Sequence, residues 1–496
     1  MSAPSLLSSR RLCAPRNTRC SRLTLLLGMG MLGPGCLPVH ADPVDTGVPP
    51  VFNAGPVKIT PSGFVELMGI GRSRNEAADW ASNFNTAIPF PNSHNYYLSE
   101  FHLTARQSRL AALVEGPADQ AYGIEGYVET DFGGSSTNGN NNESSSYALR
   151  IRHFYADLRS SDSGWYLLFG QTWSLLTAHK SGMLPRNESI PLSIDGQYVP
   201  GFDWLRVAQV RFVKTFGSSF TVGVSAENPA AQIAASTTAP NSDSLYNNVF
   251  YNTPGASNAY APTTNVTTDY LPDLIGKVAL DSGWGHYEVF GLARWFRSRY
   301  TLPGEESNRV THGFGVGGSL VLPLLPKVLD FEARYLTGKG IGRYGSASEP
   351  DATIDPTNGS LTPLPGYHAM ADLIFRPAPA WTLFVYGGVE HVDARYYDVT
   401  TTIGSPVTYG YGYGNPLFSN EGCEIEGSTK CAANTASIRS VMGGFWWKFY
   451  QGHVGNMQLG LTDNYIRREI HPGVGGAPDT NINIAMLSFR YYPYQK

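Results

Sequence analysis

Residues 147–159 read YALRIRHFYADLR. Leu149 and Ile151 alternate with Arg150 and Arg152, and a period of two marks an extended strand with two unlike faces. One face is apolar and the other carries two guanidinium groups. On the outside of a membrane wall, Arg or Lys at mid-depth would cost ~2–4 kcal/mol. The stretch therefore predicts a strand with Leu149 and Ile151 turned to lipid and Arg150 and Arg152 turned to water.

The same pattern recurs about sixteen times, from GFVELMGIGRS starting at Gly63 to NIAMLSFRYY ending at Tyr492. One of the longest repeats is WTLFVYGGVEHVDARYY, Trp381 to Tyr397. Connections are read as alternating strictly between short ones, such as GPADQA at Gly116 and the Gly217 turn, and long ones, such as 228–272 and 398–436. A soluble sandwich has no reason to gather its long loops at one end. A membrane barrel has one, because short turns face the periplasm and long loops face outside. In lipid every spanning strand must pair on both edges, so the sheet must close. The expected fold is all-β, a transmembrane antiparallel β-barrel of about 16 strands with short periplasmic turns and long external loops. Aromatic pairs near strand ends, Trp165-Tyr166, Trp295-Phe296, Tyr396-Tyr397, Trp446-Trp447 and Tyr491-Tyr492, suit interfacial girdles.

Composition agrees. The 496 residues are 42% hydrophobic but only 15% charged, against about 25% in soluble domains. The mean hydropathy is −0.20, so the chain is not apolar throughout. The 28 Tyr, 23 Phe and 9 Trp exclude a disordered chain. Outside the first forty residues no run reaches the ~18 apolar residues of a spanning helix.

Residues 1–41 read as a cleaved secretory signal. Arg10, Arg11, Arg16, Arg19 and Arg22 precede the apolar core Leu23–Leu32, and VHA ends at Ala41. Without that segment Lys and Arg fall from 36 to 31 against 40 Asp and Glu, a net charge of −9. Residues 42–62 form a Pro-rich periplasmic segment, and 63–496 a single barrel. Cys423 and Cys431, with seven residues between them in an exported polar loop, are expected to pair.

ARQSRLA (Ala105 to Ala111), IEGYVETDF, LRIRHFYADL and LLFGQTWS follow one another in this chain. In this order they resemble the start of bacterial outer-membrane porins, most of all the DcaP-like, dicarboxylate-type porins. The resemblance spans roughly Phe101 to Ser174. It implies a third loop folded into the barrel as a constriction, and three barrels associated. The loop of the required length is 175–205, LLTAHKSGMLPRNESIPLSIDGQYVPGFDWL, with Lys180, Arg186, Glu188, Asp195 and Asp203. This chain departs from the pattern in lacking a heptad segment before the first strand and in ending PYQK.

Parity assigns the interior. Arg150 and Arg152 turn inward, as do Gln209 and Arg211 opposite Ala208, Val210 and Phe212, and Glu332 and Arg334 opposite Phe331, Ala333 and Tyr335. Arg106 and Arg109 have opposite parity, which demands a bulge or a place at the interface. Glu125, Glu129 and Asp131 supply acidic wall groups. Together with the five charged residues of the third loop, these form the expected pore lining. Acids in the outer loops (Asp243, Asp269, Glu349, Asp351, Asp355, Glu421, Glu424, Glu426) would carry most of the negative charge, leaving a mildly anion-preferring constriction.

Catalytic motifs fail on context. GIGRYG at Gly340 has the letters of a dinucleotide fingerprint, but an acidic, Pro-containing loop follows it instead of a helix. No H-E-x-x-H or G-x-S-x-G occurs. The expected function is passive diffusion of small hydrophilic solutes, anions such as dicarboxylates favoured, without enzymatic activity, cofactor, metal or nucleic acid. Expected partners are outer-membrane lipid, lipopolysaccharide, the barrel-assembly machinery and two further copies. The alternatives are a surface receptor or adhesin barrel using the long loops, and an outer-membrane hydrolase barrel.

Overall fold

The computed structural model describes residues 51–494 except 79, 81–83, 118–120, 135–147, 161, 242–243, 252–268 and 402–404. The signal expected over 1–41, and Asp243, lie outside the described residues.

Sixteen antiparallel strands close into a barrel. The first eight are β1 (Val57–Arg72), β2 (Glu100–Thr104, resumed at Arg109–Glu115), β3 (Tyr122–Gly134), β4 (Ala148–Ser160), β5 (Trp165–Trp173), β6 (Arg206–Phe216), β7 (Phe220–Glu227) and β8 (Asp273–Ser282). The others are β9 (Gly285–Tyr300), β10 (Ser307–Leu325), β11 (Leu329–Lys339), β12 (Pro365–Ala378), β13 (Trp381–Val392), β14 (Thr435–Gly452), β15 (Gly455–Ile470) and β16 (Asp479–Tyr492). Each pairs with its sequence neighbour. The ring closes where Val65–Arg72 of β1 runs against Tyr491–Ile484 of β16.

In β4 the expected faces are in place. Leu149 and Ile151 are 60% and 52% exposed on the outer face, while Arg152 is 3% exposed. The alternation then slips by one. Glu129 of β3 pairs with His153 and Thr130 with Ile151, so Arg152 is the extra residue of a bulge. Arg152 and His153 are consequently both buried inward, and Phe154 returns to the outer face.

A second bulge resolves the parity of Arg106 and Arg109. Thr104 pairs with Met68 and Arg109 with Phe64, leaving one more residue on β2 than on β1. Gly63 sits there at φ 130°, where any side chain would collide with the Arg109 carbonyl.

Two boundaries and the loop pattern differ from the sequence reading. The wall begins at Val57 and not Gly63, because Lys58–Phe64 pairs with Glu115–Arg109. Pro61 is tolerated since β16 reaches only to Val65 and Phe52–Ala54 pairs only with Val57–Ile59, leaving the edge of β1 unpaired at Pro61. The strand read as Trp381 to Tyr397 leaves the wall at Val392, because its partner β12 starts at Pro365. Arg395–Thr400 instead joins Thr408–Tyr413 and Ser236–Thr237 in a small separate sheet. The outer connections at 301–306 and 471–478 are short, so the alternation of long and short is not strict.

The lumen is occupied by loops. The third loop lies inside, as expected, and the first outer loop, 73–99, joins it. Trp80, Phe84 and Ile88 of the first loop pack with Tyr198, Val199 and Phe202 of the third. Both rest on inward apolar residues of the wall, among them Met68, Ile70, Met370, Phe384, Met442, Ile466, Ile482, Ile484 and Met486.

Candidate functional site

The third loop is fastened to the wall along much of its length. At its start, the Leu175 amide donates to Glu227 at 2.8 Å and Lys277 Nζ donates to the Thr177 carbonyl at 2.8 Å. Lys277 pairs with Glu288 at 2.9 Å, and Glu288 also holds His179 Nδ1 at 3.1 Å. At its tip, the Gly182 amide donates to Asp281 at 2.9 Å and Arg186 pairs with Glu125. Farther on, the Leu192 amide donates to the Tyr386 hydroxyl at 2.8 Å, and Trp446 Nε1 donates to the Leu192 carbonyl at 2.6 Å. The Gly201 amide reaches Glu390 at 2.8 Å, and Asn464 Nδ2 donates to the Tyr198 carbonyl at 2.7 Å. Close approach needs a bare backbone: a Cβ on Gly388 would collide with the Pro200 carbonyl.

Beside this loop lies a cavity of about 670 Å³. Its charged lining is Arg109, Arg152, Lys180, Arg186, Arg376, Lys448 and Arg490 against Glu129, Glu188 and Asp195. Seven cations and three carboxylates therefore line it. Several of the cations are already engaged. Arg152 bonds Glu129 at 2.6 Å and Asp131 at 2.9 Å, Arg490 pairs with Glu66 at 3.0 Å, and Arg376 pairs with Asp330. Lys180 and Lys448 make no side-chain ion pair among the described residues and are exposed within the lumen. Trp80, Trp173, Trp204, Trp446 and Tyr127 complete the wall of the cavity.

The residues expected to line the pore divide into two sets. Arg109, Arg152, Glu129, Lys180, Arg186, Glu188 and Asp195 meet at the cavity, and Glu125 stands beside it through Arg186. The others do not reach it. Arg106 donates to the carbonyls of Phe132 and Gly134 at 3.0 and 3.1 Å. Arg150 grips Asp131 at 2.6 Å and lies over the Trp80 ring. Arg211 is fully buried, donating to Gln209 at 3.0 Å and to the Trp173 carbonyl. Arg334 pairs with Asp203, both buried. These groups face inward, as parity requires, but the third loop covers Arg211 and Arg334, so they bind protein and not solvent.

Arg376, Lys448 and Arg490 are the cavity cations that the sequence reading missed. The signal was present: Leu373 and Phe375 lie on the outer face, as do Leu487 and Phe489. Parity therefore turns Arg376 and Arg490 inward.

The outer-loop acids also divide. Glu349 and Asp351, expected among solvated external groups, are buried. Glu349 accepts from Asn85 Nδ2 at 3.0 Å, and burial, aided by nearby Glu390, pushes its carboxyl well above the usual range. Asp351 is held by Arg294 at 2.6 Å. The letters GIGRYG close in a single 3-10 turn, Gly342–Tyr344, not an α-helix, and Arg294 donates to the Gly340 carbonyl. Cys423 and Cys431 form a disulfide.

No family model matches the chain, and no curated protein matches it significantly. Among solved structures, the outer membrane channel DcaP of Acinetobacter baumannii superposes with a TM-score of 0.59 at 17% identity, covering 90% of this chain and 99% of that one. The fold is that of the DcaP channel. An anion-selective porin from Comamonas acidovorans (TM-score 0.44, 9% identity, 88% and 99% covered) and Salmonella typhi OmpF in complex with daunomycin (0.41, 8%, 89% and 99%) also superpose. At these identities the comparison with DcaP speaks for the sixteen-stranded architecture alone.

Proposed function

We propose that this chain is an outer-membrane diffusion channel for small hydrophilic solutes that favours anions, dicarboxylates among them. In this reading the first 41 residues export it and three copies assemble in the membrane. One observation carries the anion preference: seven cationic side chains and three carboxylates line the cavity beside the third loop. Lys180 and Lys448 are the groups best placed to meet a passing solute, since their charge is not engaged by a protein carboxylate. Opposite unit charges 4 Å apart in water attract by ~1 kcal/mol, enough to bias passage without trapping the solute. The paired arginines shape the passage and are held in place by their carboxylates.

The test is conductance of the refolded protein in a planar bilayer under a salt gradient. A reversal potential of the sign for anions supports the proposal, and three equal closing steps support the trimer. A clear cation preference would overturn the anion reading, and absence of conductance would overturn the channel.

A further inference from the structure

Beneath the third loop, three neighbouring strands place three side chains side by side. Glu332 of β11 pairs in register with Asp372 of β12, and Asp372 pairs in register with Tyr386 of β13. The two outer members hold the loop: Ser189 Oγ donates to Glu332, and the Leu192 amide donates to the Tyr386 hydroxyl. The middle member holds nothing. Asp372 is 3% exposed, and neither of its carboxylate oxygens has a hydrogen-bond partner.

Side chains directly opposite on antiparallel strands have Cβ atoms about 4.5–5.5 Å apart. A buried carboxyl group and a half-buried one at that spacing cannot both ionise without cost. Lys180 and Arg376 line the same cavity as Glu332, whereas Asp372 has no ion pair among the described residues. On β11, Asp330 is engaged by Arg376 and Arg334 by Asp203 of the loop. On β12, His368 is buried, and its Nδ1 has no partner. From the loop, Lys180 lines the open cavities on either side of its own strand of chain. From β13 only the Tyr386 hydroxyl faces the pair, and β10 places Val321 opposite Glu332.

We propose that Asp372 is a positioning residue for the constriction loop: it carries a proton shared with Glu332, and that proton lets Ser189–Leu192 lie against the wall. This rests on the loop being the constriction of a channel. With the proton in place, Asp372 donates to Glu332, Ser189 donates to the same carboxylate, and the pair bears one negative charge. When the proton leaves to lumen water, the buried Asp372 carboxylate faces the Glu332 anion. The nearest route to hydration for Asp372 is to lift the segment that covers it.

The experiment compares the wild-type protein with Asp372→Asn and Glu332→Gln. Asparagine keeps the shape and the donor of a protonated Asp372 but cannot titrate, and glutamine removes the second anion. Conductance is read from about pH 6 to about pH 9, together with the distance between spin labels at Ser181→Cys on the loop and Ser218→Cys on a short turn. In the wild type, conductance is expected to rise about twofold or more with pH, and the label distance to change in step. Both variants should stay flat. A flat wild-type profile, or the same rise in the variants, overturns the inference. If one variant fails to fold, the other decides. If the protein does not conduct, the label distance still tests the latch, so its failure is separable from failure of the channel reading.

Discussion

Two inward faces of the same barrel are built from opposite materials. On β4, Arg150 and Arg152 turn inward and meet Asp131 and Glu129. On β16, Ile482, Ile484 and Met486 turn inward, although Leu487 and Phe489 on the same strand already supply an apolar outer face. A strand that is apolar on both faces is buried on both. On β16 the inner cover is protein: the first and third loops pack on these residues. On β3 and β4, Glu129 and Arg152 border the open cavity instead. Period-two alternation thus reports the lipid side, whereas the kind of residue on the other side reports what fills the lumen.

The largest expected effect comes from breaking an ion pair on the covered side. Arg334→Ala leaves Asp203 as a buried, unpaired carboxylate, a change that costs ~3–5 kcal/mol in comparable sites. Limited proteolysis should then cut the third loop much faster than in the wild type. Replacing both Arg334 and Asp203 by apolar residues of similar size should restore protection. If the single variant is as resistant as the wild type, the loop is not held there.

Gly388→Val tests the same covered wall by steric means. The new side chain meets the Pro200 carbonyl, and overpacking of this kind costs ~1–3 kcal/mol. The expected outcome is noisier or larger conductance with the barrel itself intact on a heat-modifiability gel. Unchanged single-channel traces would place Pro200 elsewhere.

On the wet side, charge should matter without affecting stability. Lys448→Glu combined with Lys180→Glu should shift the reversal potential toward cations by about fivefold in permeability ratio per charge, the factor that ~1 kcal/mol represents. Melting should stay where it was. A reversal potential that does not move would mean that solutes pass these ammonium groups at a distance.

The smallest effect belongs to the disulfide. It closes a short ring in an outer loop, with seven residues between Cys423 and Cys431, so its removal by double Ser substitution should leave conductance and selectivity unchanged. Proteolysis at Lys430 should be the one readout to respond.

Much of the barrel could be read from residue order, because lipid enforces a simple rule on every strand. Val210 and Phe212 had to lie opposite Gln209 and Arg211, and they do. The same rule would have found Arg376 and Arg490 had it been carried to the last strands. Local pattern alone did not reveal the bulge that turns both Arg152 and His153 inward. A bulge depends on how two strands pair, and Thr130 meets Ile151 only once β3 and β4 are brought together. Nor did the sequence separate Arg211 and Arg334 from Arg152.

The sequence by itself determined the class of wall, the side each strand presents to lipid and the length of the third loop. It did so because the membrane penalises charge and unpaired backbone wherever they face it. The tertiary structure alone decided which inward charges meet water. That depends on where two loops come to rest, and they rest on Ile482, Ile484 and Met486 because those side chains offered apolar surface with no lipid to cover it.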